Sequence, residues 1–145
     1  TIIPQAVTWR GPGARPMALK MTGPAPISVI IPTLNAEASL PATLAALAPA
    51  AIASLVREVV VADGGSADKT AAIAEAAGAR LVRSAPGRGG QLAAGAGAAR
   101  GGWLLFLHAD TILEEGWISE AAAFMREHAG RAAVFSLDFD AKGFA

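Results

Sequence analysis

Two carboxylates in this chain stand directly behind apolar runs. Asp63 opens Asp63-Gly64-Gly65-Ser66 after Glu58–Ala62 (EVVVA), and Asp110 closes His108-Ala109-Asp110 after Trp103–Leu107 (WLLFL). A carboxylate delivered by a hydrophobic strand costs desolvation energy unless it is hydrogen-bonded, paired or bound to a cation. Having both behind apolar strands therefore points to a functional site more than either does alone. Taken singly, Asp63 also reads as a turn or cap residue, and Asp110 as a loop cap. His108 reads either as a satisfied edge residue or as a neutral imidazole serving a metal or a ribose. A third segment, Pro32-Thr33-Leu34-Asn35 with Glu37 beyond it, follows Ile27–Ile31 and contains no glycine. That disfavours both the dinucleotide fingerprint and the P-loop, which need a glycine-rich turn at such a junction. The later run from Gly87 to Gly102 is rich in Gly and Ala but has no Lys. Close helix packing and phosphate contact are both open readings of it.

The elements that must position these residues follow from pattern. Ile27–Ile31 (ISVII), Glu58–Ala62, Arg80–Arg83 and Trp103–Leu107 read as short buried strands, and Ala132–Phe139 as a fifth. Leu40, Leu44 and Leu47 recur at helical spacing, which predicts a helix from near Ser39 that ends before Pro49. Ser66 is expected to cap a helix over Ala67–Ala77, with Gly78 as its stop. Further helices are expected over Gln91–Arg100 and Gly116–Glu127. Continuous apolar strands alternating with helices predict an α/β fold, a mostly parallel sheet with helices on both faces. In such sheets ligands bind outside the carboxyl ends of the strands, where the candidate residues stand.

Composition narrows the function classes. The chain has 145 residues, 53% of them hydrophobic, and no Cys, so a thiolate metal site, an iron–sulfur cluster and a Cys nucleophile are excluded. Twelve Lys plus Arg balance twelve Asp plus Glu, which leaves no field to gather phosphate backbones and argues against a nucleic-acid partner. About a quarter of the residues are Ala, which suits close packing of helices on a sheet. Thr1–Pro26 holds five of the nine prolines and is read as a Pro/Gly-rich arm or linker, leaving 27–145 as the folded domain. Met17 and Met21 lie just ahead of the first strand, so part of the arm is expected to be upstream sequence.

ISVIIPTLNAEASLPATLAAL, VVVADGGSADKT and LLFLHADT, in this order and spacing, resemble the family 2 glycosyltransferases, which have the GT-A fold and use nucleotide-activated sugars. The likeness runs from about Ile27 to Phe124. With PGRGGQL before it, the His-Ala-Asp form of the last motif is similar to a bacterial family 2-like subgroup. The resemblance implies that Pro32, Thr33 and Glu37 line the base and ribose pocket, and that Asp63 accepts a hydrogen bond from the nucleobase. It places Arg88 and Gln91 at contacts to the nucleotide or diphosphate. Asp110 matches the last Asp of the Asp-x-Asp motif, which holds Mg²⁺ or Mn²⁺ against the two phosphates. His108 replaces the first Asp, so one carboxylate stands where the family motif has two, a departure that bears on metal affinity or on the ribose contact which that Asp usually makes.

The implied function is transfer of a sugar from a nucleotide-sugar donor to an acceptor that the sequence does not identify, metal-assisted and inverting. The fold resembled needs well over two hundred residues, so the chain is expected to be the donor-binding half, with the acceptor site and base outside it. Asp138 and Asp140 alternate onto one strand face in FSLDFD and read either as candidates for a base or as a solvated or turn-adjacent pair. A non-catalytic nucleotide-binding or protein-interaction module is the alternative reading. The expected location is cytoplasmic, with peripheral attachment at the cytoplasmic face of the membrane left open. An open sheet edge would favour a homo-oligomer.

Overall fold

The computed structural model describes residues 24–114 and 116–133, with the backbone of two short strands at 5–8 and 136–138. In chain order the strands are β1 (Gln5–Thr8), β2 (Ile27–Thr33), β3 (Val56–Asp63), β4 (Arg80–Arg83), β5 (Trp103–Phe106), β6 (Thr111–Leu113) and β7 (Ser136–Asp138). The helices are α1 (Leu40–Ile52), α2 (Thr70–Ala76), α3 (Arg88–Ala98) and α4 (Trp117–Glu127).

Four strands form the expected parallel sheet in the order β4-β3-β2-β5. Ile27, Val29 and Ile31 join Leu40 and Leu47 of α1 and Ala74 of α2 in the main apolar core. On the opposite face α3 lies close, because Gly95 has no side chain: a Cβ there would stand 2.5 Å from Ile30 Cγ2. Helices thus cover both faces. Pro32 extends β2 beyond the predicted end without breaking the ladder. Thr33 O accepts from Gly64 N toward β3, and Ile30 O accepts from Leu107 N toward β5. Alternation then aims the position of the missing Pro32 amide at the β5 side, where strand pairing has already ended at Phe106.

Several boundaries differ from the pattern reading, each for a physical reason. Helix α1 runs through Pro49 instead of stopping before it. The lost hydrogen bond at Pro49 is offset by burial of Ala50 and Leu55, and Leu55 N and Ser54 N bond back to Ala50 O and Ala51 O in a Schellman closure. The same closure ends α2, with Gly78 at the left-handed position as expected. In α1 that position is Ser54, at φ 59°. Ser54→Gly, at an exposed site, is expected to raise stability by about 0.5–1 kcal/mol, checked by urea denaturation; an unchanged midpoint would count against it.

Helix α3 begins at Arg88, three residues before the expected Gln91. Strand β7 is shorter than the predicted fifth strand and pairs antiparallel with β1, which also pairs parallel with β6. The stretch read as an arm therefore contains a strand. The most apolar run, β5, is not the most buried: Leu104 and Phe106 are 41% and 50% exposed, since among the described residues α3 packs chiefly on β2, β3 and β4. Its other face is covered, with Trp103 meeting Phe124 of α4 edge-on. Among the described residues no helix is long and apolar enough to cross a membrane.

Candidate functional site

The parallel register sets Thr33 beside Asp63 and Asp63 beside Arg83, all at the carboxyl ends of their strands. The His108–Asp110 turn follows β5 at the same edge, where Leu107 N bonds Ile30 O and Thr111 N bonds His108 O. Arg88 stands exposed at the start of α3, and His108 is also exposed.

Asp63 is fully buried. Its Oδ1 accepts from the Thr33 hydroxyl at 2.9 Å and the Ser66 hydroxyl at 2.5 Å, and its Oδ2 from the amides of Gly65 and Ser66 at 3.1 and 3.0 Å. Burial pushes this carboxyl up, but the Ser66 hydroxyl and amide, the Thr33 hydroxyl and the Gly65 amide outweigh burial and hold it below the ordinary value. Arg83 Nη1 lies 4.0 Å from Oδ2, on a side chain that is 67% exposed and adds little. Ser66 is therefore not the cap of α2, which starts at Thr70; its hydroxyl is bound to Asp63 and also accepts from Asn35 N. Asp68 takes up the start of that helix by accepting from Thr70 N.

The loops after β2 and β3 are stitched to each other. Asn35 N donates to Ser66 Oγ and Ala67 N donates to Asn35 Oδ1, with Asn35 itself at φ 52°. Glu37 N donates to Asp68, Lys69 N donates to Glu37 Oε2, and Ala36 N donates to the Thr70 hydroxyl. Glu37 is exposed at the edge, with one carboxylate oxygen engaged by Lys69. Pro32 is half-buried at the same edge, and Thr33 is buried.

Gln91 differs most from its expected role. It is 5% exposed, and Nε2 donates to Thr33 O at 2.7 Å and to Ala62 O at 2.8 Å, while Oε1 accepts from Gly87 N. Both amide hydrogens are spent on the strands, so Gln91 fastens α3 to the ends of β2 and β3 instead of facing a nucleotide. Gly64 leaves room for it: a Cβ there would be 3.0 Å from the Gln91 amide.

Asp138 lies in β7, paired with Ala6, and Asp140 lies outside the described residues. Arg83 was not singled out from the sequence, although the strand-end rule applied to β4 would have found it. Among the described residues no three His, Asp or Glu side chains gather into a cation cage. Asp110, half-buried in its turn, is a single carboxylate ligand. Such a donor set fits a hard cation that completes its shell with diphosphate oxygens and water, not one held by protein alone.

Residues 28–143 match the family Glycosyl transferase family 2. A PGL/p-HBAD biosynthesis glycosyltransferase of Mycobacterium bovis is 40% identical over 115 residues, covering 70% of this chain and 42% of the relative. The glucosyl-3-phosphoglycerate synthase of Mycobacterium tuberculosis is 32% identical over 120 residues, covering 76% of this chain and 37% of that protein. A crystal structure of that synthase with Mn²⁺, uridine diphosphate and phosphoglyceric acid superimposes with a TM-score of 0.57 at 30% identity, covering 77% of this chain and 42% of the other. The chain thus spans about two fifths of the length of the curated relatives it matches.

Proposed function

Because the chain belongs to glycosyl transferase family 2, we propose that it carries the donor-binding part of an enzyme that transfers a sugar from a nucleoside-diphosphate sugar. One observation carries this reading: Thr33, Asp63 and the His108–Asp110 turn meet at the carboxyl edge of one parallel sheet, the ligand side of this architecture.

In this reading the stitched loops after β2 and β3 form the wall for the base and ribose, with Pro32, Thr33 and Glu37 along it. The four donors on Asp63 fill its acceptor capacity, so it receives a base N–H only when the Ser66 hydroxyl turns away from Oδ1. Its main work is to hold the Gly64–Ser66 turn in shape. Arg83 and Arg88 present positive charge at this edge for an anionic ligand, and Asp110 offers its carboxylate to a cation. A Mg²⁺ or Mn²⁺ bound there supplies charge neutralisation as the diphosphate leaves. No described residue is assigned the base, and the transfer is read as inverting. The acceptor is a hydroxyl compound of unspecified class, and a cytoplasmic location with peripheral membrane attachment belongs to the same reading.

Calorimetric titration with UDP, GDP, dTDP and CDP, each with and without Mn²⁺, tests it. At least one nucleotide is expected to bind more tightly with the metal. Asp110→Ala is expected to lower that metal-dependent affinity about 10–100-fold while leaving metal-free binding in place. A chain that binds none of the four would count for a module that kept the sheet without the chemistry.

A further inference from the structure

The His108–Asp110 turn is held from outside by one side chain of α1. Thr43, in the second turn of α1, is 1% exposed on the face that also buries Leu40 and Leu47. A hydroxyl on such a face costs free energy unless it finds an acceptor. Its own helix offers only Ser39 O at 3.4 Å, whereas Ala109 O, 66 residues away, stands at 2.7 Å. Among the described residues this is the one side-chain hydrogen bond to the backbone of the turn, whose other fastenings are Leu107 N to Ile30 O and Thr111 N to His108 O. The neighbouring Thr111 hydroxyl is buried and has no partner among the described residues, so it adds no second tether there.

We propose that Thr43 is a positioning residue: by holding Ala109 O against α1 it fixes the direction in which Asp110 presents its carboxylate to a divalent cation shared with a nucleoside diphosphate. This rests on the function proposed above. A lone carboxylate has no partner ligand to correct its aim, so an error in the backbone of the turn passes directly into cation geometry. The base side of the edge is held independently by the Asp63 and Gln91 hydrogen bonds, and Thr43 makes no bond to it.

The test is titration of the 145-residue chain with UDP, with and without Mn²⁺, for wild type, Thr43→Val and Thr43→Ser. Valine keeps the shape and removes the hydroxyl; serine keeps the hydroxyl and removes the methyl. The expected result is a 5–10-fold weaker UDP affinity for Thr43→Val in Mn²⁺ with metal-free affinity unchanged, and near wild-type behaviour for Thr43→Ser. Equal losses with and without metal, loss in the serine variant as large as in valine, or no loss in valine would each overturn it. Should Thr43→Val fail to fold, Thr43→Ser decides, because wild-type metal dependence there supports the hydroxyl and its loss overturns it. Wild-type protein that binds UDP without any help from Mn²⁺ would overturn the proposed metal role itself, a result visible before any variant is made.

Discussion

Asp63→Ala is expected to lower stability by about 3–4 kcal/mol, because it leaves two amides and two hydroxyls around a buried void with no acceptor. Asp63→Asn is expected to cost only about 1 kcal/mol, and the reason lies in which donors face which oxygen. The Gly65 and Ser66 amides at Oδ2 can only donate, so the asparagine oxygen must sit there. Its NH₂ then meets the Thr33 and Ser66 hydroxyls, which can turn and accept. The pH dependence separates the two variants from a general packing defect. The folded-state carboxyl of Asp63 lies below its ordinary value, so its stabilisation is present above the unfolded pKa and is lost as pH falls through the folded one. The advantage of wild type over Asp63→Asn should therefore hold at neutral pH and shrink below about pH 4. Urea denaturation at several pH values measures this; a gap that stays constant down to pH 3 would show that the charge of Asp63 does not contribute. Glu58 adds to acid lability in both proteins alike. Burial pushes its carboxyl up, but the Arg100 amide, the Ser28 hydroxyl and the nearby Arg80 and Arg100 charges hold it low.

Why Asp63 was legible and its neighbours were not is a matter of what each signal encodes. Continuous β-branched runs announced β2 and β3, and a parallel sheet then dictated which ends carry ligands, so Thr33, Asp63 and Asp110 could be placed without coordinates. Ser66 was misread because helix caps and carboxylate-anchored turns use the same small hydroxyl side chain, and only the competing acceptor, Asp63, decides between them. Pro49 was read as a stop because its local cost is visible in the sequence, while the burial of Ala50 and Leu55 that outweighs it is tertiary. Strands β1 and β6 are four and three residues long, too short for any period to show, and exist through pairing with each other. The exposure of β5 inverts the usual inference from hydrophobicity to burial, since a strand's apolarity does not say whether a helix reaches it.

The resemblance marked Gln91 but not its fastening role, because an amide in a glycine-rich stretch does not reveal which carbonyls will converge on it. Its three hydrogen bonds predict the second large effect. Gln91→Leu is expected to cost about 2–3 kcal/mol, roughly one for each bond, since Thr33 O keeps its partner in Gly64 N and is not orphaned. Gln91→Glu should behave differently with pH. An ionised carboxylate at this buried position would face two carbonyl oxygens, whereas the neutral acid can donate to one of them. The folded state therefore raises the pKa of the introduced Glu above its unfolded value. Its stability is fully present below the unfolded pKa and is lost as pH rises through the folded one. At neutral pH Gln91→Glu is expected to be the less stable of the two variants, because a buried charge is uncompensated; toward pH 4 the order should reverse. Thermal melts of both variants from pH 4 to 8, each referred to wild type at the same pH to remove the shared Asp63 and Glu58 dependence, read the crossing directly. Parallel curves would mean that residue 91 does not meet the strand carbonyls. A crossing with Gln91→Glu regaining nucleotide affinity only at acid pH would tie the spacing of β2 and β3 at their carboxyl ends to ligand binding.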